Sequence, residues 1–459
     1  MTTNLRSGSS FRDPSGFLFT RGGILYRQVN RSYRPTYDRL IDSGLYHELV
    51  DAGELVPHDI ARVAPAEPRL ASLVLQPERL TFVSYPYEWS FSQLKDAALL
   101  TLTLQKRAVA RGLCLKDASA YNIQFHRGRP MLIDSLSFEV WREGAPWVAY
   151  RQFCQHFLAP LALMARVDVR LGLMLRLYID GLPLDLTSRL LPRITRLQPG
   201  LLTHVHLHAA SQRRFAGTAP AAHTSARMSR NALLGLIDSL ESTVRGLTWA
   251  PGGTDWADYE STHNYSPTAL DDKRRLVAGS LAKVRPSLTW DLGANVGTFS
   301  RLAAEAGSTT IAFDLDPSAV ELHYRRCRSE GESRLLPLLL DLTNPSPAQG
   351  WDHAERLSLA ERGPADAVMA LALVHHLAIA NNVPLPLLAE TFAGYGRSLI
   401  VEFVPKSDPQ VQRLLVSRDD IFPDYTPEGF EQAFRATHRI RSADKIEDSD
   451  RILFWMEKR

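Results

Sequence analysis

The 459-residue sequence predicts a doubly wound, mostly parallel α/β domain in its C-terminal half and an α+β domain before it. From Ser287 onward, strand-like and helix-like segments alternate, which is typical of a parallel sheet. Apolar residues make up 45% of the chain and charged residues 22%, the proportions of a globular protein. At about 150 residues per domain, the length suits two or three folding units.

The C-terminal half alternates short apolar strands with helices. The predicted strands are residues 288–292, 309–313, 335–340, 367–371 and 398–404, and the predicted helices are residues 299–306, 318–330 and 385–393. Ligands of such sheets bind where the strands end, so we expect the candidate site residues there.

The N-terminal half mixes short strands with helices. The predicted elements are two strands within residues 16–29 around a turn at Gly22-Gly23, a helix over 94–111, and a hairpin of 123–125 with 131–133.

The small, polar, proline-containing stretch 216–225 is typical of a linker. Residues 231–246 after it have helical spacing. We therefore expect an α+β domain over residues 1–215, a linker and helix over 216–254, and the doubly wound domain over 255–459.

Charge and cysteine content exclude several classes of protein. Lys and Arg number 53 against 50 Asp and Glu, and a net charge of +3 does not indicate a nucleic acid partner. Cys114, Cys154 and Cys327 lie too far apart for a disulfide framework or a metal knuckle. Residues 1–14 lack the apolar core of a signal peptide, and no apolar run of about 20 residues is present. We expect a cytoplasmic protein with no membrane partner, and the cysteines provide no metal site.

A glycine-rich turn follows the first strand of the C-terminal half. In the segment 288–300, LTWDLGANVGTFS, Asp291 ends the strand, Gly293 and Gly297 flank Asn295, and a helix begins. Glycine lacks the Cβ that would block a ligand lying across the turn. Because asparagine replaces the middle glycine of the GxGxxG fingerprint, we do not expect a pyrophosphate ligand.

The next two strands also lead into carboxylates. Asp314 follows the strand 309–313, and Asp341 follows the strand 335–340. A carboxylate at this edge of a parallel sheet can accept both hydroxyls of a ribose, and the next one is placed to accept an adenine amino group. With Asp291, these strand ends suit a cationic nucleoside better than an anionic dinucleotide.

Through these residues, the segment 285–404 resembles the class I S-adenosylmethionine-dependent methyltransferases, which implies a Rossmann-like fold and S-adenosyl-L-methionine as the cofactor. In this resemblance the glycine turn holds the methionine part, Asp314 the ribose and Asp341 the adenine. A βαβ unit without a cofactor is the alternative. The resemblance implies cofactor-binding roles for Asp291, Gly293, Asn295, Gly297, Asp314 and Asp341.

A wider stretch is similar to bacterial nodulation-protein-like methyltransferases. The similarity includes the aromatic segment 256–265, WADYESTHNY, together with the segment 402–408. The aromatic segment either folds over the cofactor as a lid or packs against the edge of the sheet.

The fourth strand leads into two histidines. In the family this strand end faces the transferred methyl group, and here it contains His375 and His376. A neutral histidine can remove a proton from a hydroxyl group or a carbon acid, or it can form hydrogen bonds within the loop. The Asn/Asp-Pro-Pro-Tyr sequence of methyltransferases that act on nucleobase amines is absent. Glu402, within the apolar strand 398–404, either points into the cleft or forms a buried ion pair.

The N-terminal half contains a second group of polar residues. Asp117 is followed five residues later by Asn122 and, after the predicted hairpin, by Asp134. This spacing resembles the catalytic loop and metal-binding aspartate of protein-kinase-like and aminoglycoside-phosphotransferase-like folds, and implies a Mg-ATP site.

This second resemblance has one clear departure. Residues 1–94 contain no lysine, so Arg27 or Arg31 would have to replace the lysine that binds the ATP phosphates, with a different geometry. Three interpretations stay open: a binding or substrate-presenting module, an active phosphotransferase, and chance spacing in an unrelated domain.

The sequence favours an S-adenosylmethionine-dependent methyltransferase acting on a small-molecule or glycan-type acceptor, at oxygen or carbon. His375 or His376 would act as the base and Glu402 would orient it or the acceptor. The alternatives are a kinase-like phosphotransferase with a nucleoside-sensing C-terminal domain and a non-catalytic binding protein.

Overall fold

The computed structural model describes residues 5–215, 228–252, 265–416 and 419–459. The chain forms two compact units, one of residues 1–250 with 349–356 and the other of residues 251–348 with 357–459. The predicted linker over 216–225 and residues 256–264 of the aromatic segment lie outside the described residues.

The N-terminal unit begins with a five-stranded antiparallel sheet. Its strands are β1 (Leu5–Arg6), β2 (Gly16–Arg21), β3 (Ile24–Asn30), β4 (His58–Ile60) and β5 (Ala71–Pro77). They lie in the order β1-β2-β3-β5-β4, with helices α1 (Arg34–Asp42) and α2 (Leu45–Asp51) between β3 and β4. The predicted hairpin is confirmed, and Gly22 and Gly23 have the positive φ angles, 59° and 80°, that a two-residue turn requires.

A long helix and two small antiparallel sheets follow. Helix α3 (Phe91–Ala110) follows Ser90, whose Oγ accepts from the Gln93 amide at 3.4 Å and whose own amide donates to Gln93 Oε1 at 2.9 Å, which is a capping box. The predicted helix and hairpin are confirmed. The strands are β6 (Leu113–Leu115), β7 (Ile123–His126), β8 (Arg129–Leu132) and β9 (Phe138–Val140), with β6 paired to β9 and β7 paired to β8.

Short helices complete this unit. They are α4 (Tyr150–Phe153), α5 (Ala159–Arg166), α6 (Leu184–Leu190), α7 (Pro199–Leu201), α8 (His208–Phe215) and α9 (Arg230–Gly246). Helix α9 is the helix predicted after the linker, and it is joined to α3 by an ion pair of 2.6 Å between Asp238 and Lys106. Across the described residues, no helix combines the length and the apolar character needed to cross a bilayer.

The C-terminal unit is built on a seven-stranded sheet. Its strands are β10 (Leu288–Leu292), β11 (Thr309–Asp314), β12 (Leu335–Leu339), β13 (Ala365–Ala370), β14 (Gly396–Phe403), β15 (His438–Lys445) and β16 (Ile452–Lys458). They lie in the order β12-β11-β10-β13-β14-β16-β15. Strand β16 is antiparallel to both of its neighbours, β14 and β15, and all other pairs are parallel. This confirms the predicted doubly wound, mostly parallel sheet of a Rossmann-like domain.

Helices connect the parallel strands and cover the sheet. They are α10 (Pro267–Val284), α11 (Thr298–Glu305), α12 (Pro317–Glu330), α13 (Leu385–Tyr395), α14 (Pro409–Leu415) and α15 (Pro427–Arg435). Val277 of α10 and Ala303 of α11 pack against Met369, Ile400 and Leu453 in one buried core. Burial of such apolar surface is the main stabilising term of the unit.

The strand order determines where the site lies. From β10 the chain proceeds to β11 and β12 on one side, and then crosses to β13 on the other side of β10. Ligands of open α/β sheets bind at this reversal, outside the carboxyl ends of the strands. The turn after β10 and the loop after β13 are therefore the two segments that position the candidate site.

Candidate active site

The turn after β10 is folded onto the end of β11. The Gly293 amide donates to the Phe313 carbonyl oxygen at 2.9 Å, and the Asn295 amide donates to Asp314 Oδ2 at 2.7 Å. Gly293, Asn295 and Gly297 have φ angles of 77°, 50° and 85°, in the left-handed region that glycine, and next asparagine, adopts most readily. The structure thus brings the predicted turn residues and Asp314 together.

Gly297 is required by a neighbouring side chain as well as by its backbone angle. A Cβ on Gly297 would lie 2.1 Å from ring atoms of His323, a residue of α12 that is 1% exposed. Burial, and next the positive charges of Arg301 and Arg326, lower the pKa of His323 to about 3. A neutral imidazole therefore occupies the space that any larger residue at position 297 would need.

We expect Gly297→Ala to weaken the binding of S-adenosylhomocysteine by at least about tenfold. A left-handed non-glycine residue costs about 1–2 kcal/mol, and the new methyl group would also overlap His323. Gly307→Ala is the matched control, because Gly307 also has a positive φ, 96°, but an added Cβ would meet no described atom within 4 Å. Calorimetric titration measures both variants, and equal affinities would contradict the role of His323. Adding His323→Ala to Gly297→Ala should recover part of the loss.

Asp291 and Asp314 lie at adjacent strand ends, and both are protonated more readily than usual. Burial raises the pKa of Asp291 to about 7, and the negative charge of Asp314 adds to this, although Ser300 Oγ donates a hydrogen bond of 2.6 Å. Burial also raises the pKa of Asp314 to about 6, despite the backbone amides of Asp316 and Asn295 that donate to it. Two neighbouring carboxylates of this kind favour a ligand that brings positive charge and hydroxyl donors.

Asp341 lies just beyond β12, on the third strand of the same edge. Its Oδ1 accepts hydrogen bonds from the Thr343 amide at 2.8 Å and the Thr343 hydroxyl at 2.6 Å. These bonds fix the carboxylate within its own turn and leave lone pairs for a ligand. Leu315, directly after Asp314, is 66% exposed and adds an apolar side chain at this edge.

The chemistry of this edge fits S-adenosyl-L-methionine. The cofactor combines positive charge with ribose hydroxyls and an adenine amino group, and the strand ends offer acidic oxygens as partners. A Cβ on Gly293 would come within 3.3 Å of Leu373 Cδ1, so glycine keeps the turn clear of the loop after β13. Asp314 could hold the ribose, Asp341 the adenine, and the turn with Asp291 the methionine part.

The raised pKa values predict that cofactor binding depends on pH. A ribose hydroxyl donates to an ionised carboxylate, so binding favours the deprotonated form of Asp314, whose pKa is about 6 in the free protein. The affinity for S-adenosylhomocysteine should therefore be constant well above pH 7 and fall by about tenfold per unit below pH 6. Titrations at several pH values measure this. Asp314→Asn should bind weakly and lose the limb near pH 6, and constant wild-type affinity from pH 5 to 8 would contradict the assignment.

His375 and His376 lie at the entrance to a helical turn after β13, with ring centroids 4.1 Å apart. His375 is 1% exposed, and its Nδ1 has no hydrogen-bond partner among the described residues. Burial and then the charges of His376 and Arg451 hold the pKa of His375 well below its usual value. Burial and Arg451 lower the pKa of His376 to about 4. Both rings are therefore neutral at pH 7, the form that can accept a proton.

Glu402 lies at the centre of a buried ion-pair network. Its Oε2 accepts from Lys273 Nζ at 2.7 Å, and its Oε1 accepts from the Tyr265 hydroxyl and from Arg451 Nη1, the latter at 3.4 Å. Arg451 Nε also donates to Asp408 Oδ2 at 2.7 Å. Although burial raises the pKa of Glu402, Lys273 and Arg451 lower it to about 2. The contacts are those of the buried ion pair that the sequence left open, and a direct role in the cleft stays a prediction.

Sequence reasoning misses the partners of Glu402. A carboxylate in an apolar strand signals a buried cation, because an unpaired buried charge is strongly unfavourable. Lys273 and Arg451 lie 129 and 49 positions away, however, and no local pattern identifies them. Lys273 also lies 4.5 Å from the Phe299 ring centroid and interacts electrostatically with Asp291, which links the network to the turn after β10.

Two of the N-terminal candidates are held by side chains of their own unit. Asp117 Oδ1 accepts from Gln152 Nε2 at 2.8 Å, and Asn122 Nδ2 donates to Ser137 Oγ at 3.3 Å. Both residues lie in the connection between β6 and β7.

The third candidate, Asp134, pairs with Arg27. Asp134 Oδ1 lies 2.8 Å from Arg27 Nη2, and the two side chains form an ion pair that is 15% and 9% exposed. Within residues 5–215, 228–252, 265–416 and 419–459, no three His, Cys, Asp or Glu side chains are grouped to hold a metal ion. A kinase-like fold and Mg-ATP binding stay predictions.

Comparison with known proteins identifies one close relative in sequence. The chain is 37% identical over 465 aligned residues to nodulation protein NoeA of Rhizobium meliloti (strain 1021), and the alignment covers 99% of this chain and 96% of the relative. No family model matches the sequence.

Structural likenesses are weaker and cover less than half of the chain. Magnesium protoporphyrin IX methyltransferase (ChlM) from Synechocystis PCC 6803 is 15% identical, with a TM-score of 0.31, and the match covers 42% of this chain and 84% of that one. N-methyltransferase NodS from Bradyrhizobium japonicum WM9 is 10% identical, with a TM-score of 0.31, and the match covers 42% of this chain and 98% of that one.

Proposed function

The chain belongs to the family of nodulation protein NoeA. We propose that its Rossmann-like C-terminal unit is an S-adenosylmethionine-dependent methyltransferase that acts on a small-molecule or glycan-type acceptor at oxygen or carbon. The observation that carries the proposal is the convergence of Asp291, Asp314 and the turn 293–297 at the switch point of the sheet. The neutral histidines at the end of β13 support an acceptor that gives up a proton.

Different residues of the chain would bind the cofactor and accept the proton during methyl transfer. S-adenosyl-L-methionine, when bound, supplies a methyl group on a positively charged sulfur. Asp314 and Asp341 would hold the nucleoside end of the cofactor, and the turn with Asp291 would hold its amino acid end. His376 or His375 accepts the proton that the acceptor loses. Positioning of the two reactants contributes much of the rate.

We expect His376→Ala to lower kcat/KM by about 100-fold, the lower end of the range for general bases, because a base with a pKa near 4 is weak at pH 7. His375→Ala tests the second ring in the same way. Whichever of the two variants lowers kcat/KM should bind S-adenosylhomocysteine with the wild-type affinity. If both variants keep full kcat/KM, neither histidine is the base.

The acceptor class can be tested without knowing the acceptor. Extract from the source organism is incubated with the protein and methyl-labelled S-adenosyl-L-methionine, and labelled products are identified by mass spectrometry. We expect label in an oligosaccharide or small molecule, and none with the Asp314→Ala variant. Label confined to protein or nucleic acid would contradict the proposed acceptor class.

A further inference from the structure

The 3₁₀ helix Arg193–Leu197 of the N-terminal unit presents aliphatic side chains to solvent. A 3₁₀ helix has three residues per turn, so side chains three positions apart lie in one row. Ile194 and Leu197 form such a row and are 64% and 77% exposed, and Leu190, the last residue of α6, is 43% exposed. These large aliphatic side chains face water although burial would favour them, which is typical of a surface that binds a partner.

The third row of the same helix holds it in place. Thr195 is fully buried, its hydroxyl donates to the Pro192 carbonyl oxygen at 2.7 Å, and it accepts from His206 Nε2 at 2.9 Å. His206 Nδ1 in turn accepts from Ser188 Oγ at 2.8 Å. Because these bonds fix the row that faces the interior, the aliphatic row cannot turn inward.

The remaining row is positively charged. It consists of Arg193 and Arg196, which are both exposed, and no ion pair joins either of them to another described residue. The surrounding sequence is also basic, since residues 186–237 contain seven arginines and no lysine, aspartate or glutamate, whereas the whole chain has a net charge of only +3. The acidic residues on either side of this stretch are themselves paired with cations. A positive field therefore surrounds the aliphatic row.

We propose that Leu190, Arg193, Ile194, Arg196 and Leu197, which we call the 190–197 surface, bind the anionic surface of a lipid bilayer. The arginines contact the phosphates of the lipid headgroups, and the aliphatic side chains enter the boundary between headgroups and acyl chains. A membrane partner is not expected from the sequence, because a signal peptide and a long apolar run are missing. Binding at the bilayer surface needs neither of them.

Other partners match the 190–197 surface less well. Proteins that bind single-stranded nucleic acid stack bases on aromatic side chains, and residues 179–214 contain no Phe, Trp or Tyr. Two copies of the chain that met through this surface would bring their arginines together, and like charges at an interface are unfavourable. An anionic bilayer complements the charged row and the aliphatic row at the same time.

Sedimentation of the full chain with vesicles tests the proposal. Vesicles of phosphatidylcholine alone are compared with vesicles of phosphatidylcholine and phosphatidylglycerol in equal parts. We expect the mixed vesicles to bind the protein at least about tenfold more tightly, and high salt to weaken this binding by screening. Arg193→Gln with Arg196→Gln should weaken it by about 25-fold, because each arginine near an anionic surface contributes about fivefold.

Matched variants separate the 190–197 surface from the net charge of the chain. Arg69→Gln with Arg79→Gln removes the same charge from exposed positions of the same unit and should bind as wild type does. Ile194→Ser with Leu197→Ser keeps every charge and should weaken binding by at least about tenfold. Ile60→Ser changes an equally exposed residue of β4 and should have no effect.

Several results would each overturn the proposal. They are the absence of a preference for the mixed vesicles, an equal loss of binding in the two arginine double variants, and full binding by Ile194→Ser with Leu197→Ser. Binding of single-stranded RNA in place of the vesicles would assign the surface to nucleic acid. A dimer that Ile194→Ser with Leu197→Ser dissociates, without vesicle binding by wild type, would assign it to a second copy of the chain.

Discussion

Replacement of Asp314 by alanine should weaken the binding of S-adenosylhomocysteine by about 100-fold or more. A hydrogen bond to a charged group contributes about 1.5–3 kcal/mol, and in the proposed site Asp314 accepts two from the ribose. The carboxylate also accepts the Asn295 amide at 2.7 Å and the Asp316 amide at 2.9 Å. Its loss would therefore remove ligand contacts and loosen the turn that forms the rest of the site.

Two further variants separate these effects. Asp314→Asn keeps a carbonyl oxygen that can accept from the Asn295 amide but loses the charge, and should give an intermediate affinity. Asp271→Ala is the matched control, since Asp271 is exposed on α10, where its Oδ1 lies 3.3 Å from Arg274 Nη1. Calorimetry of the full chain measures all three. Wild-type affinity in Asp314→Ala would remove Asp314 from the cofactor site.

Replacement of Glu402 by alanine should destabilise the C-terminal unit by about 3–5 kcal/mol, the usual effect of removing one partner of a buried ion pair. Lys273 and Arg451 have side chains that are 3% and 2% exposed, so neither can regain water when the carboxylate is lost. The Tyr265 hydroxyl would also lose its acceptor. Strand β14 carries Glu402, and Arg451 directly precedes β16. The hydrogen bonds between these two strands should therefore open more often in the variant.

Hydrogen exchange of the β14 amides measures this opening in the C-terminal unit alone. Glu431→Ala is the control, because Glu431 forms an i,i+4 pair on the surface of α15 that contributes less than about 1 kcal/mol. Glu402→Gln with Lys273→Met removes one charge of each sign, leaves Arg451 with Asp408, and should be less destabilised than Glu402→Ala. Equal exchange in Glu402→Ala and Glu431→Ala would show that the buried network does not stabilise this unit.

The parallel part of the sheet could be predicted because each strand is a short apolar run next to a helix. Strands β10 to β14 follow this pattern, and their carboxyl ends identify Asp291, Asp314 and Asp341 in order. Strands β15 and β16 could not be predicted in the same way. Strand β15, His438–Lys445, is mostly exposed and carries charges, so it lacks the apolar pattern of the parallel strands. It lies at the edge of the sheet, where it pairs with β16.

The interior contacts of the site could not be predicted, because they join residues that are distant in sequence. The sequence indicates that Gly297 is glycine because a ligand lies across the turn. The structure adds a second reason, because the His323 ring fills the space that a Cβ at position 297 would need. The sequence places Glu402 either in the cleft or in a buried ion pair. Its partner Lys273 is distant in sequence, so the ion pair is visible only in the folded chain. In the N-terminal unit, the absence of lysine from residues 1–94 leaves Arg27 and Arg31 as candidates, and the sequence does not show that Arg27 pairs with Asp134.

A crystal structure of the full chain with S-adenosylhomocysteine tests the proposed cofactor site most directly. We expect the ribose hydroxyls within hydrogen-bond distance of Asp314, the adenine amino group near Asp341, and the sulfur facing the loop that carries His375 and His376. A nucleoside bound elsewhere, or a ribose that does not contact Asp314, would contradict the proposed site.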